Sequence, residues 1–246
     1  MAISFNKRFI WRIMVLGVAA LGAGCAAIGP TDNPFLRSLT WDRYVGGDDI
    51  ARACAPGQPA VYRLVYNAVE REQQRTYDIH ELPEGGAMLE ARVVGPANLN
   101  DSRNPISLQD PLAPWRGQSA MYRLSDADFA KIKSALTEAG FEQAAPKGLF
   151  LRGDSFFWTA SACRNGEFHF HAWGSPSPEF DRMAVPLLEA VLPYDKTGVP
   201  ARRPYEVALP PYSIYLMNDP ATGRRYIPRR FQVGDNGLQY SQGTIN

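Results

Sequence analysis

Apolar runs rich in β-branched and aromatic residues recur in the middle of the chain, and turn signals separate them, as is typical of β-strands joined in hairpins. Asn165-Gly166 is the strongest of these signals, because Asn-Gly favours a two-residue hairpin turn. Pro83 to Gly86 mark a second hairpin. The pattern predicts strands over residues 61–66, 75–82, 87–94, 118–124, 148–151, 156–163 and 167–173.

Two stretches change to the helical period. Ser125 is a typical N-cap, Phe129, Ile132 and Leu136 follow on one face, and Gly140 ends the helix. Ser177-Pro178 begins a second helix that runs to about residue 192 and contains Pro186. A short helix over residues 50–55 follows Asp48 and Asp49. Hairpins with late helices predict an α+β fold with an antiparallel sheet and two main helices, not a Rossmann-type sheet.

The N-terminus has the three parts of an export signal. Lys7, Arg8 and Arg12 precede an uncharged apolar run over residues 13–24, and Cys25 follows. A run of this length suits a signal peptide and is shorter than a membrane-spanning helix. The small residues before Cys25 resemble a lipobox, although Gly22 stands where Leu is usual. We expect a lipoprotein signal peptide over residues 1–24 and lipidation of Cys25, with the periplasmic face of a Gram-negative outer membrane as destination.

The rest of the chain divides into three predicted parts. Residues 25–40 are rich in Gly and Pro and predict a tether. Residues 41–195 form the α+β domain, and residues 196–246 form a basic arm rich in Pro and Tyr, irregular or folded as a β-ribbon over 212–217 and 224–231. Residues 26–195 hold 16 Lys and Arg against 22 Asp and Glu, whereas residues 196–246 hold 7 against 3. The basic arm either neutralises the acidic body or contacts anionic partners.

Three cysteines are present, and lipidation of Cys25 leaves two. Cys54 and Cys163 are expected to pair in an oxidising compartment. The alternative is two unrelated buried thiols.

Three stretches resemble a group of uncharacterised bacterial envelope proteins. They are residues 46–67 with Cys54, residues 110–115, and residues 156–168 with Cys163. The resemblance covers roughly residues 40–200, implies one domain over that range, and carries no activity or cofactor.

Glu167, His169 and His171 are the candidate metal ligands. Alternate residues of a strand share a face, and two imidazoles with a carboxylate could hold zinc. The alternative is the polar side of an amphipathic strand.

The candidate partner-binding residues lie in the basic arm and in the long loop over residues 95–117. Arginine forks suit phosphate and carboxylate, and an exposed Trp can stack on a sugar. The candidates are Arg224, Arg225, Tyr226, Arg229, Arg230 and Trp115.

Familiar catalytic motifs are absent from the sequence. We therefore expect a non-enzymatic interaction or assembly module that needs no cofactor and binds the membrane through its lipid, with an envelope protein, an anionic lipid or a glycan as partner and no nucleic acid. A periplasmic module for a small ligand or glycan is the first alternative, and a metal-dependent enzyme is the second.

Overall fold

A computed structural model describes residues 33–95, 108–109, 111–205 and 228–239. Within these ranges the helices are α1 (Pro34–Gly46), α2 (Asp48–Ala53), α3 (Ala113–Arg116), α4 (Asp126–Glu138) and α5 (Pro178–Val191). The strands are β1 (Val61–Ala68), β2 (Gln73–Glu81), β3 (Ala87–Val94), β4 (Gln118–Leu124), β5 (Phe150–Arg152), β6 (Phe156–Arg164), β7 (Glu167–Gly174), β8 (Arg230–Val233) and β9 (Leu238–Gln239).

Six strands form one antiparallel sheet in the order β4-β3-β2-β1-β6-β7. The first four strands form a meander, and the β6–β7 hairpin adds to the open edge of β1. Asn165 and Gly166 both have positive φ, which is the geometry that the Asn-Gly signal predicts for a tight hairpin. The predicted α+β fold with an antiparallel sheet of hairpins is therefore confirmed.

Helices α4 and α5 cover the first face of this sheet. Phe129, Ile132 and Leu136 of α4 are buried, as the helical period predicts. They meet a continuous apolar layer from the strands, in which Trp158 stacks on Tyr66 with ring centroids 4.6 Å apart. Ser125 caps α4 by accepting from the backbone N–H of Asp128 at 3.1 Å. This layer is the main hydrophobic core.

Helices α1 and α2 and a small three-stranded sheet cover part of the second face. The small sheet has the order β5-β8-β9. Trp41, Tyr44 and Val45 of α1 pack with Phe157 of β6 and Phe231 of β8 in a second apolar cluster. The described ends of the chain therefore lie together in this layer.

Two predictions about chain organisation need correction. Residues 34–40 were predicted as part of a tether, but α1 begins at Pro34, because Asn33 caps it and its buried face reaches the core. Only residues 228–231 of the strand predicted over 224–231 are described, and there the strand begins at Arg230 and pairs with β5 and β9. The signal peptide, Cys25 and residues 212–217 lie outside the described residues. No helix in the described ranges is long and apolar enough to cross a membrane.

Candidate functional site

A charged cluster lies buried where α2 meets the second face of the sheet. Arg63 of β1 stands directly opposite Asp78 of β2, and its Nε donates to Asp78 Oδ1 at 2.6 Å. The terminal nitrogens of Arg63 reach both carboxylate oxygens of Asp49 in α2, at 2.6 and 2.8 Å. The Tyr44 ring lies 3.7 Å from the guanidinium carbon. Arg63 therefore links both helices to both strands.

The surroundings shift the pKa values of Tyr44 and Arg63 in this cluster. Burial first, and then the negative charge of Asp78, raise the pKa of Tyr44 well above its ordinary value. The Tyr44 hydroxyl donates to Asp78. Burial alone would lower the pKa of Arg63, but the oxygens of Tyr44, Asp78 and Asp49 raise it above its ordinary value. The cluster therefore holds a charged guanidinium and a neutral phenol.

A cavity of about 370 Å³ lies beside the cluster, and we call it the disulfide cavity. Helix α2, the loop that follows it and the nearby ends of β1, β2 and β6 enclose it. Its lining is Asp49, Ile50, Ala53, Cys54, Gln58, Pro59, Ala60, Val61, Arg63, His80, Glu81 and Cys163.

A disulfide between Cys54 and Cys163 forms one wall of this cavity, with the two Cα atoms 5.5 Å apart. It joins the end of α2 to the end of β6, which is the pairing that the sequence predicts. Glu81 Oε2 accepts from the backbone N–H of Ala60 at 3.1 Å and so ties the loop to β2. The disulfide and this hydrogen bond hold the cavity walls in place.

The polar lining of the disulfide cavity favours a neutral or positively charged group. Asp49 and Glu81 contribute two carboxylates, and Arg63 contributes the one guanidinium of the lining. That guanidinium already donates to Asp78, Asp49 and the Tyr44 carbonyl. Most of the remaining surface is apolar, as is usual for sites that bind small molecules.

The three predicted metal ligands do not form a metal site. The Phe141 carbonyl accepts from Nε2 of His169, and the Gln143 carbonyl accepts from Nδ1 of His171 at 3.3 Å. Glu167 is exposed at the start of β7. No group of three His, Cys, Asp or Glu side chains in the described part of the chain could hold a metal ion. The histidines instead fasten the segment after α4 to β7, and burial lowers the pKa of His171.

The predicted partner-binding residues have different surroundings. Arg229 lies against α1 at the surface, and its guanidinium donates to Asp42 at 2.9 Å and to the Ser38 carbonyl at 3.0 Å. Arg230 is exposed at the start of β8. Trp115 is half-exposed, and its carbonyl accepts from Arg37. Arg224, Arg225 and Tyr226 lie outside the described residues.

The sequence patterns did not single out Asp49, Arg63 or Asp78 as a site. A signal was present, because Arg63 interrupts the apolar run of β1 and Asp78 stands between Tyr77 and Ile79 in β2. A charge within a buried strand needs a partner. What the sequence does not reveal is which carboxylates supply it, since the register of β1 on β2 and the position of α2 decide that.

Comparisons with protein-family models, curated proteins and solved structures found no match. The resemblance to envelope proteins over residues 40–200 therefore stays a prediction. The proposed function therefore rests on the sequence and on the geometry of the site, not on related proteins.

Proposed function

We propose that this protein is a lipid-anchored binding module of the Gram-negative envelope, attached through Cys25 after removal of residues 1–24. The charged n-region, the short apolar run and the small residues before Cys25 support this proposal. A lipid anchor leaves the folded body free to act by binding in the periplasm. The disulfide suits that oxidising compartment.

The disulfide cavity is the observation that carries the binding function. Its volume of about 370 Å³ lies within the range of about 300–1,000 Å³ that is usual for small-molecule sites. Its walls are mainly apolar, and Asp49 and Glu81 supply hydrogen-bond acceptors. The ligand we propose is a small, mainly apolar molecule, or an exposed side chain of a partner protein, that carries a cationic or hydrogen-bond-donating group.

Binding fits the cluster better than catalysis. The Arg63 guanidinium donates through all three nitrogens to groups of the protein itself. A catalytic arginine has to keep donors for charge that develops on a substrate. Arg63 therefore serves to position Asp49 and α2 at the edge of the cavity.

The described parts of the basic arm dock on the body. Arg202 pairs with Glu72, Arg203 with Glu189, and Arg229 with Asp42. These ion pairs favour the neutralising role over the partner-binding role for this part of the arm. Arg224, Arg225 and Tyr226 stay predicted partner-binding residues.

The anchor is tested by changing Cys25 to Ser. We expect this variant to lose metabolic labelling by a palmitate analogue and to leave the membrane fraction. The wild-type chain is the control for labelling. A Cys25→Ser variant that remains fully in the membrane fraction would indicate an uncleaved anchor instead.

The cavity is tested by filling it. Ala53 lines the cavity and is exposed, so Ala53→Trp obstructs the site without a large cost in folding. Ala51→Trp, on the same helix but outside the lining, is the matched control. We would screen aliphatic and aromatic amines by ligand-observed NMR and expect binders whose affinity falls at least tenfold in Ala53→Trp and not in Ala51→Trp. Binding that survives in Ala53→Trp would rule out this cavity as the site.

A further inference from the structure

Three large apolar side chains project from the first turns of α1 into solvent. Phe35 is 70%, Leu36 45% and Leu39 66% exposed. The opposite side of α1 is occupied by Trp41, Tyr44 and Val45 in the core, so these three residues cannot turn inward. We call them the α1 ridge. An exposed apolar cluster of this kind typically marks a surface that contacts a partner or a membrane.

A basic pocket lies beside the α1 ridge. Its volume is about 230 Å³, and its lining is Arg37, Ser38, Trp41, Glu70, Arg71, Gln74 and Arg229. The lining therefore holds three arginines against one glutamate. Burial raises the pKa of Glu70, while Arg229 and Arg71 lower it. Arg37 donates to the carbonyls of Trp115 and Arg116, and Arg229 pairs with Asp42. Three arginines therefore face two carboxylates, those of Glu70 and Asp42, and the formal charge still favours an anion. The exposed guanidinium of Arg71 matches the oxygens of a phosphate group.

The buried indole N–H of Trp41 provides a second indication of an acceptor ligand. Trp41 is 4% exposed, and its Nε1 has no hydrogen-bond partner within the described residues. Trp41 lines the basic pocket. Glu70 Oε2, also in the lining, is a buried acceptor without a partner within the described residues. Buried polar groups are normally satisfied, so a ligand that brings an oxygen for the indole and a hydroxyl donor for the carboxylate would complete the site.

The position of the proposed anchor brings this face close to a bilayer. Asn33, which caps α1, is eight residues after Cys25. Eight residues span at most about 30 Å when fully extended. If the lipid on Cys25 lies in the membrane, the α1 ridge starts within that distance of it. Apolar residues beside basic ones suit the boundary between headgroups and acyl chains.

We propose that the α1 ridge and the basic pocket form a membrane-contact face, in which the ridge enters the headgroup region and the pocket holds the phosphate of an anionic phospholipid. This face would orient the disulfide cavity relative to the membrane, while the lipid on Cys25 provides attachment. The inference rests on the proposed anchor only for the distance argument. The ridge and the pocket are features of the folded body.

Hydrogen exchange in lipid nanodiscs tests this face directly. The full-length chain would be placed in discs of phosphatidylcholine with or without about 30% phosphatidylglycerol, a fraction that gives a clearly negative surface. We expect the anionic discs to slow amide exchange at least threefold in peptides covering residues 34–40 and 70–74. Peptides of α4, on the other side of the sheet, should not change.

Matched variants assign the effect to the ridge and to the pocket. Leu39→Glu and Arg71→Glu, both at exposed positions, should return exchange to the phosphatidylcholine rate. Val185→Glu and Arg182→Glu make the same changes on the exposed side of α5 and should keep the protection.

Two results would overturn the proposal. One is equal exchange in both disc types. The other is protection of the same peptides by millimolar inorganic phosphate without lipid, which would make the pocket a site for a soluble anion. Failure of acyl labelling in the wild-type chain would count against the anchor alone, because the nanodisc comparison depends on lipid charge and not on Cys25.

Discussion

The two faces of the six-stranded sheet are buried by different means. The face under α4 and α5 is covered mainly by apolar side chains, such as Leu64 and Trp158, and it also buries one ion pair, between Arg75 and Asp195. The face under α1 and α2 buries Arg63, Thr159 and Asp78, which are held by specific hydrogen bonds. Apolar packing tolerates many similar residues, whereas a buried ion pair requires particular ones. The first face is therefore held mainly by apolar packing, and the second face carries the charged cluster beside the disulfide cavity.

The disulfide should carry the largest single contribution on the second face. Cys54 and Cys163 are 109 residues apart in sequence, so replacing both by Ser should cost about 4–5 kcal/mol by restoring entropy to the unfolded chain. Urea unfolding of the purified protein would measure the loss. A loss below about 1 kcal/mol would mean that the unfolded chain keeps much of its structure without the bond.

Neighbouring residues of β6 compare the two faces directly. Trp158 is fully buried on the first face, and Trp158→Ala should cost about 3–5 kcal/mol because it leaves a large cavity. Thr159 faces the other way and donates to the Val45 carbonyl at 3.2 Å. Thr159→Val keeps the shape and should cost about 1 kcal/mol. Equal losses in urea unfolding would contradict the distinction between the faces.

The ion cluster should respond as a coupled unit. Arg63→Met leaves the carboxylates of Asp49 and Asp78 without their cation and should cost about 3 kcal/mol. Asp78→Asn should cost less. The double variant should lose about 2 kcal/mol less free energy of unfolding than the sum of the two single losses. A double-mutant cycle by urea unfolding measures this coupling. Additive losses would show that Arg63 and Asp78 act independently.

The smallest effect is expected at the solvent-exposed rim of the first layer. A hydrogen bond from Ser125, then those from Tyr194 and Lys131, lower the pKa of Asp128 to about 2. A carboxyl group whose pKa is lowered by folding stabilises the fold at pH values above its ordinary pKa of 3.8. This contribution is lost as pH falls toward 2. Thermal unfolding should therefore give a lower Tm for Asp128→Asn at pH 7 and equal Tm values near pH 2. Glu179→Gln, in the first turn of α5, is the control, and its Tm at pH 7 should differ less from that of the wild type.

Most of the large sheet could be predicted because its signals are local. The strands of the β6–β7 hairpin are contiguous, and the Asn165-Gly166 turn sets their register. The small sheet could not be predicted in the same way, since β5 pairs with β8 across about 80 residues and Phe150–Arg152 is very short. The partner of a strand so far away in the sequence cannot be recognised from the hydrophobic pattern of a short stretch of residues.

The sites were harder to predict than the fold. Glu167, His169 and His171 alternate along β7, which is the spacing expected of metal ligands on one face of a strand. The imidazole rings of both histidines instead donate to carbonyls of the segment after α4. Nothing in the local pattern indicates that segment. The Cys54–Cys163 bond could be predicted from the expected oxidising compartment and from the two cysteines that remain after Cys25. The cavity beside the bond depends on how α2 lies on the sheet.

The position of β1 in the sheet sets an order of assembly during synthesis. Its neighbours are β2, which follows at once, and β6, which begins 95 residues after β1 begins. Helix α1 at the described start of the chain contacts β9 near its described end. The layer formed by α1, α2 and the small sheet therefore cannot be completed until the chain has been synthesised as far as residue 239. Until β6 has been made, the meander of β1 to β4 exposes one edge of β1, and an exposed edge of this kind needs protection from other chains.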